Sequence, residues 1–221
     1  MPETYEYDAI ILSTTFKEKT DDIIKFLKLI STQCSRIKNE FTVYPVIVFE
    51  KNEDYKFKKV KTFFENEYFF IKPIILLNTN GCGFSSCLNY GINNTNSKWI
   101  IRLDTDDLLK EERILSQLKL MEKENLDMSS GYMEDQNGNI LKYPKSNLDL
   151  ITKIGLGMNP FAHPSICIKK DSLNILYDTS LARCEDFELW INLLSKRDFK
   201  WKCIGSPITI YSTERSKIKD K

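Results

Sequence analysis

The chain has 221 residues, of which 42% are hydrophobic and 29% charged, enough for one soluble domain that buries a substantial core without disulfide help. Lys plus Arg number 32 against 31 Asp plus Glu, so bulk charge sets up no field for a polyanion and nucleic acid is not an expected partner. Six scattered cysteines without paired CxxC spacing argue against a zinc site and for reduced thiols in a cytoplasmic protein. The polar, acidic start Met1 to Asp8 does not read as a signal peptide, and no apolar run reaches bilayer-spanning length.

In chain order, Asp8-Ala-Ile-Ile-Leu-Ser13 reads as a buried strand. Thr20 to Ile30 follows with helical spacing and Thr20 as its N-cap. Tyr44 to Phe49 is a second strand, with Pro45 tolerable at its start, and Lys56 to Glu67 carries the apolar stripe Phe57, Val60, Phe63 and Phe64 of an amphipathic helix. Pro73 to Leu77 forms a third strand, Ser85 to Asn93 a helix, and Trp99 to Leu103 a fourth strand. This alternation predicts a parallel α/β sheet, whose ligands bind beyond the carboxyl ends of the strands. Ser13-Thr14-Thr15, Glu50 and Asp104 to Asp107 would gather there.

A further helix runs from Glu111 to Glu124. Beyond it the pattern loosens into short strands and turns, with Gln136-Asn-Gly-Asn139 as a hairpin signal and Gly155 to Asn159 as a loop. A last helix spans Glu185 to Lys196, with Phe187, Trp190, Leu193 and Leu194 on its apolar face. With no linker or repeat, the expectation is a single domain over 1–221 with a variable second half.

The chemistry concentrates where Trp99-Ile-Ile-Arg-Leu103 runs into Asp104, Asp106 and Asp107. Three carboxylates within four positions repel one another. A hard divalent cation, Mg²⁺ or Mn²⁺, would offset that repulsion, and a solvated acidic turn would also accommodate it.

The ordered set Gly83-Phe-Ser-Ser-Cys-Leu-Asn-Tyr-Gly-Ile92, Leu103-Asp-Thr-Asp-Asp107, Glu112-Arg113, His163-Pro-Ser-Ile-Cys-Ile-Lys-Lys170 and Cys184-Glu-Asp-Phe-Glu-Leu-Trp190 resembles the family 2 glycosyltransferases over about Ala9 to Tyr211. The resemblance implies a GT-A fold, an αβα sandwich on a Rossmann-like, mostly parallel sheet with a smaller acceptor-side region. It assigns about 1–107 to a nucleotide-sugar-binding half and about 108–221 to an acceptor-binding half. The implied reaction is inverting transfer of a hexosyl or N-acetylhexosaminyl group from a nucleoside diphosphate sugar, a UDP-sugar ahead of dTDP- or GDP-sugars. The acceptor would be a saccharide or lipid-linked saccharide, used in building cell-surface glycans at the cytoplasmic face of the membrane.

By the same resemblance, Asp107 contacts the metal, Asp106 shares that role or bonds the ribose, and Asp104 shapes the turn. Asp186 matches the base that takes the acceptor hydroxyl proton. On bare chemistry, Glu185 and Asp186 would equally suit a helix N-terminus. Glu185 orients the turn, and Trp190 closes the same acceptor-side motif. Thr14 and Thr15 approach base and ribose, or serve as hydroxyl caps. Glu50 and Asp54 compete for the uracil-side acid, because Phe49-Glu-Lys-Asn-Glu-Asp54 departs from the family's D-D-G-S-x-D. Asn89 contacts the donor or caps locally, and His163 faces the acceptor or is a polar residue satisfied before Pro164. Arg215 stands as a phosphate clamp, while Lys217, Lys219 and Lys221 form a basic tail suited to weak contact with anionic lipid. A nucleotidyltransferase is disfavoured because Ser13-Thr-Thr-Phe-Lys-Glu18 lacks a Gly-rich phosphate loop, and a non-catalytic nucleotide-sugar or glycan-binding module remains the alternative from another class.

Overall fold

The computed structural model describes residues 5–212. Four strands come first: β1 (Tyr7–Thr14), β2 (Val43–Glu50), β3 (Ile74–Asn78) and β4 (Ser97–Arg102). They pair in parallel in the order β3-β2-β1-β4. Between them run helices α1 (Thr20–Arg36), α2 (Asp54–Asn66) and α3 (Phe84–Asn93). Continuous apolar runs form the two inner strands because both faces of the sheet are covered. Along β1, Ala9 and Ile11 pack into the core beneath α1 and α2, while Ile10 and Leu12 pack beneath α3. Helix α1 buries Ile23, Phe26, Leu27, Ile30 and Cys34, a stripe at helical spacing. Its N-cap position is Lys19, one residue earlier than the expected cap, so Thr20 is already helical.

The second half departs further from expectation. Short β5 (Leu108–Leu109) leads to α4 (Arg113–Glu124), then β6 (Met128–Asp135), β7 (Ile140–Leu141) and α5 (Asn147–Gly155). Next come β8 (Cys167–Lys169), α6 (Glu185–Leu194) and the long β9 (Trp201–Tyr211). The sheet continues β4-β8-β6-β9-β5 with β8 antiparallel to both β4 and β6, so it is parallel only in its first half and mixed beyond. The expected hairpin is present: β6 and β7 pair antiparallel, and the Asp135 carboxylate accepts the Asn137 and Asn139 amide N–H groups while Gly138 takes φ +83°. Helices α1, α2 and α4 cover one face of the sheet, and α3, α5 and α6 the other, giving an αβα sandwich.

One polar side chain ties the halves together. Arg113, 1% exposed at the start of α4, donates to Pro164 O and Thr209 Oγ1 (both 2.7 Å), to Arg102 O and Gln117 Oε1 (both 2.9 Å) and to Ile166 O. It joins α4, β4, β9 and the 163–166 turn directly under the acidic segment. Replacing it with Leu leaves several buried acceptors unpaired, each costing about 1–3 kcal/mol. Arg113→Leu is therefore expected to lower unfolding free energy by about 3 kcal/mol or more. Urea denaturation followed by circular dichroism checks this, and a loss below about 1 kcal/mol would show that the network relaxes around the gap.

Candidate active site

The parallel strands end on one edge, and there the acids collect. Asp104 to Asp107 form a tight turn closed by Asp107 N–H to Asp104 O at 3.2 Å. Asp104 pairs with the guanidinium of buried Arg102, which also lies 5.1 Å from the Phe84 ring centroid. Asp104 is thus held as a turn-shaping residue. Asp107 is buried and accepts the Ser212 N–H at 3.2 Å, just past the end of β9. Pairing of β5 with β9 places it there. Burial, then the neighbouring charges of Asp104 and Asp106, push the Asp107 carboxyl up to about 8. Asp106 is half-buried beside it.

The other expected donor contacts sort differently. Thr14 is buried at the end of β1, and its hydroxyl has no hydrogen-bond partner among the described residues. Thr15 bonds Glu53, an acid that the sequence reading passed over in favour of Glu50 and Asp54. Glu53 sits in the 3₁₀ turn leading into α2 and is paired with Lys56 at 2.8 Å. Its only sequence signal is its place just past a strand end. Glu50 accepts the Gly83 N–H at 2.6 Å, fixing the entry to α3, where Gly83 takes φ +88°. Asp54 is turned to Lys58 on the exposed face of α2. Asn89 uses its amide on the Tyr177 backbone, donating to the carbonyl at 2.8 Å and accepting the N–H at 3.1 Å. Asn89 thereby pins the segment before α6.

Two of the expected acceptor-side residues are buried. His163 lies buried among Phe84, Tyr177 and Trp190, with Nε2 2.8 Å from the Tyr177 hydroxyl. Burial, aided by the charge of Arg102, holds its imidazole well below the ordinary titration range, so it is a neutral packing residue. Trp190 is fully buried with Leu189 and Leu193, because the apolar stripe of α6 turns to the sheet. Arg215 and the basic tail lie outside the described residues.

Asp186 stands in the first turn of α6, after Cys184 in a left-handed conformation. One carboxylate oxygen accepts the Phe187 N–H at 2.8 Å, and the other takes the Asn159 amide. Burial raises its carboxyl above the ordinary range; the Asn159 hydrogen bond opposes that rise and the Glu185 charge adds to it. The Tyr177 hydroxyl feels the charges of Arg102, Asp186, Glu185 and Asp104, so acids of both segments act on it. A cavity of ≈ 260 Å³ between the α3 N-terminus and the 179–182 loop is walled by Glu185 and Cys82. It meets at Cys82 a shallower hollow of ≈ 620 Å³ past the ends of β2 and β3, lined by Glu50, Lys51, Asn52, Thr79, Asn80 and Gly81. Neither hollow is lined by the acidic turn, which lies just past the end of β4.

No cluster of three or more His, Cys, Asp or Glu poised around a metal occurs among the described residues. Two carboxylates nevertheless suit Mg²⁺ or Mn²⁺, which keep water and bind substrate phosphate as well. The destabilised anion of Asp107 fits that role. None of the six cysteines is bridged, and no helix is long and apolar enough to cross a membrane among the described residues.

Comparison with known proteins identifies the family and the fold. The model described as "Glycosyl transferase family 2" matches residues 46–188. An uncharacterized glycosyltransferase of Methanocaldococcus jannaschii is 33% identical over 138 residues, covering 59% of this chain and 47% of its own length. The UDP-Gal:alpha-D-GlcNAc-diphosphoundecaprenol beta-1,3-galactosyltransferase of Escherichia coli is 29% identical over 136 residues, 58% of this chain and 48% of that protein. The chain thus spans about half the length of these relatives. Among solved structures, S. aureus TarS 1-349 in complex with UDP-GlcNAc superposes with a TM-score of 0.70 at 16% identity, over 94% of this chain and 59% of that one, a likeness of fold. The chain belongs to the family 2 glycosyltransferases and has their GT-A fold.

Proposed function

We propose that the chain is a metal-dependent inverting glycosyltransferase, moving a sugar from a nucleoside diphosphate donor to a hydroxyl of a saccharide or lipid-linked saccharide. A UDP-sugar is the first candidate donor, and assembly of a cell-surface glycan at the cytoplasmic face of the membrane is the setting. The observation that carries this reading is the presence of a buried, charge-strained Asp107 in the turn after β4 together with a second, separately held carboxylate, Asp186, at the start of α6. A binding module would need no such second carboxylate.

Asp106 and Asp107 would hold Mg²⁺ or Mn²⁺, which when bound supplies positive charge to the departing diphosphate. Arg102 keeps Asp104 out of that duty and fixes the turn. The base side of the donor would lie over the hollow past β2 and β3, near Thr15, Glu53 and Glu50. Asp186 would accept the proton of the acceptor hydroxyl as its oxygen attacks the anomeric carbon opposite the leaving diphosphate. Burial strengthens this carboxylate as a base, and Asn159 orients it.

Because the Asn159 amide stabilises the Asp186 anion, Asn159→Ala is expected to raise that carboxyl further and move the acid limb of kcat to higher pH. A pH profile of transfer reads this directly. An unmoved limb would remove Asp186 from the titrating step. The donor itself is tested by calorimetric binding of UDP-, dTDP- and GDP-sugars with Mn²⁺. Preference for a guanosine or thymidine donor overturns the uridine assignment, and no binding to any donor favours a non-catalytic protein.

A further inference from the structure

Helix α5 is apolar on the side where a surface helix is ordinarily polar. Ser146 caps it by accepting the Asp149 N–H at 3.2 Å, and Leu150 and Ile154 bury its inner face against the core shared with α6. Its outer face carries Leu148 and Ile151, 74% and 66% exposed, and the chain then continues through Leu156 at 70% and Met158 at 50%. Leu148, Leu156 and Ile151 are the three most exposed aliphatic side chains among the described residues. Single exposed apolar residues need no explanation, but a run of this kind on one element marks a contact surface.

The surrounding charge indicates the partner. Between Ile140 and Met158 there are three lysines, Lys142, Lys145 and Lys153, against one acid, Asp149. Lys153 lies over the Tyr143 ring at 4.7 Å, so the segment entering the helix runs alongside it. An apolar helical face carried by a segment with an excess of lysine matches the boundary of an anionic bilayer, where aliphatic groups enter the acyl region and ammonium groups meet headgroup phosphate. The location adds to this match. Met158 is followed by Asn159, whose amide holds Asp186, so the apolar surface leads straight to the carboxylate facing the acceptor.

We propose that the α5 face, from Leu148 through Met158, docks on an anionic lipid bilayer and presents Asp186 to acceptors carried in that membrane. The surface stands on its own residues. Only the identity of what is delivered to Asp186 rests on the transferase reading above. The docking surface is separate from the basic tail of Lys217, Lys219 and Lys221, and the test must keep the two apart.

The experiment is co-sedimentation of the full 221-residue chain with vesicles of phosphatidylcholine alone, or with about a third phosphatidylglycerol. Wild type is expected to bind the anionic vesicles preferentially and to be weakened by salt. Leu148→Ser with Ile151→Ser, which leaves the tail intact, should reduce binding about tenfold or more. Leu156→Ser is the second variant should the double variant melt early by circular dichroism. Unchanged binding in the variants assigns any attraction to the tail and overturns the proposal. So does wild type that ignores vesicles, including one that forms a concentration-dependent dimer lost in the double variant, which would make the face an interface between copies. Donor binding measured on the same samples separates the two readings. Wild type that binds donor but ignores the vesicles sinks this proposal alone, and wild type that docks but binds no donor sinks the transferase.

Discussion

Asp186→Asn is expected to lower kcat about a thousandfold, within the 10²–10⁴ range typical of a positioned general base, while leaving donor binding close to wild type. The substitution keeps the shape of the side chain and its acceptor oxygen for the Phe187 N–H, so the α6 N-terminus should stay folded. What it removes is the anion that Asn159 holds and that burial makes a stronger base. Glu185 sits one residue earlier on the wall of the cavity and could act as a surrogate base. Single-turnover transfer with saturating donor separates the two, since Glu185→Gln should then cost far less than Asp186→Asn. Near-normal turnover by the Asp186 variant would take this residue out of the proton transfer.

The second large effect is expected at Asp107, and it shows in stability as well as in activity. Burial and the charges of Asp104 and Asp106 raise its folded carboxyl to about 8, against an ordinary value of 3.8 when the chain is unfolded. Between those values the folded protein holds a proton that the unfolded chain has lost. Without metal, unfolding free energy should therefore fall as pH rises through this window, by up to about 1.4 kcal/mol per pH unit. The contribution is fully present below the unfolded value and gone above the folded one. Asp107→Asn should flatten that slope and, near pH 8 without metal, be more stable than wild type. With Mn²⁺ the order should reverse: wild type is stabilised by a ligand that binds only the folded state, and the variant is not. Transfer by Asp107→Asn should drop about a hundredfold or more if several kcal/mol of charge stabilisation at the leaving diphosphate is lost. Thermal melts across pH, with and without Mn²⁺, decide the matter. A variant that keeps both the pH slope and the Mn²⁺ response would remove Asp107 from the metal role.

Local pattern served well where local forces decide. Strands β1 to β4 and helices α1 to α3 were readable because each is a continuous apolar run or a stripe at helical spacing. Strand β9 was not readable. It contains Gly205 and Pro207, has an uneven burial pattern, and finds its partners β6 and β5 across some 70 to 100 residues of chain. Helix α5 falls where the sequence suggests short strands and turns, because its two-sided apolar pattern lacks the polar face that identifies a surface helix. His163 and Trp190 carried a motif that resembles acceptor-side positions, yet their bulk is satisfied in the aromatic packing with Phe84, Phe161 and Tyr177.

By itself the sequence determined the α/β class, the order of the first seven elements and the acids at the ends of β4 and before α6, because short-range periodicity and turn chemistry encode those. Only the tertiary structure decided what surrounds each acid. Asp104 is held by Arg102, and Asp107 is buried because β9 returns to pair with β5 and brings the Ser212 N–H to it. Asp186 is held by Asn159, 27 residues away. A carboxylate's charge state and hydrogen-bond partners depend on groups distant in sequence, and those are fixed when the sheet closes.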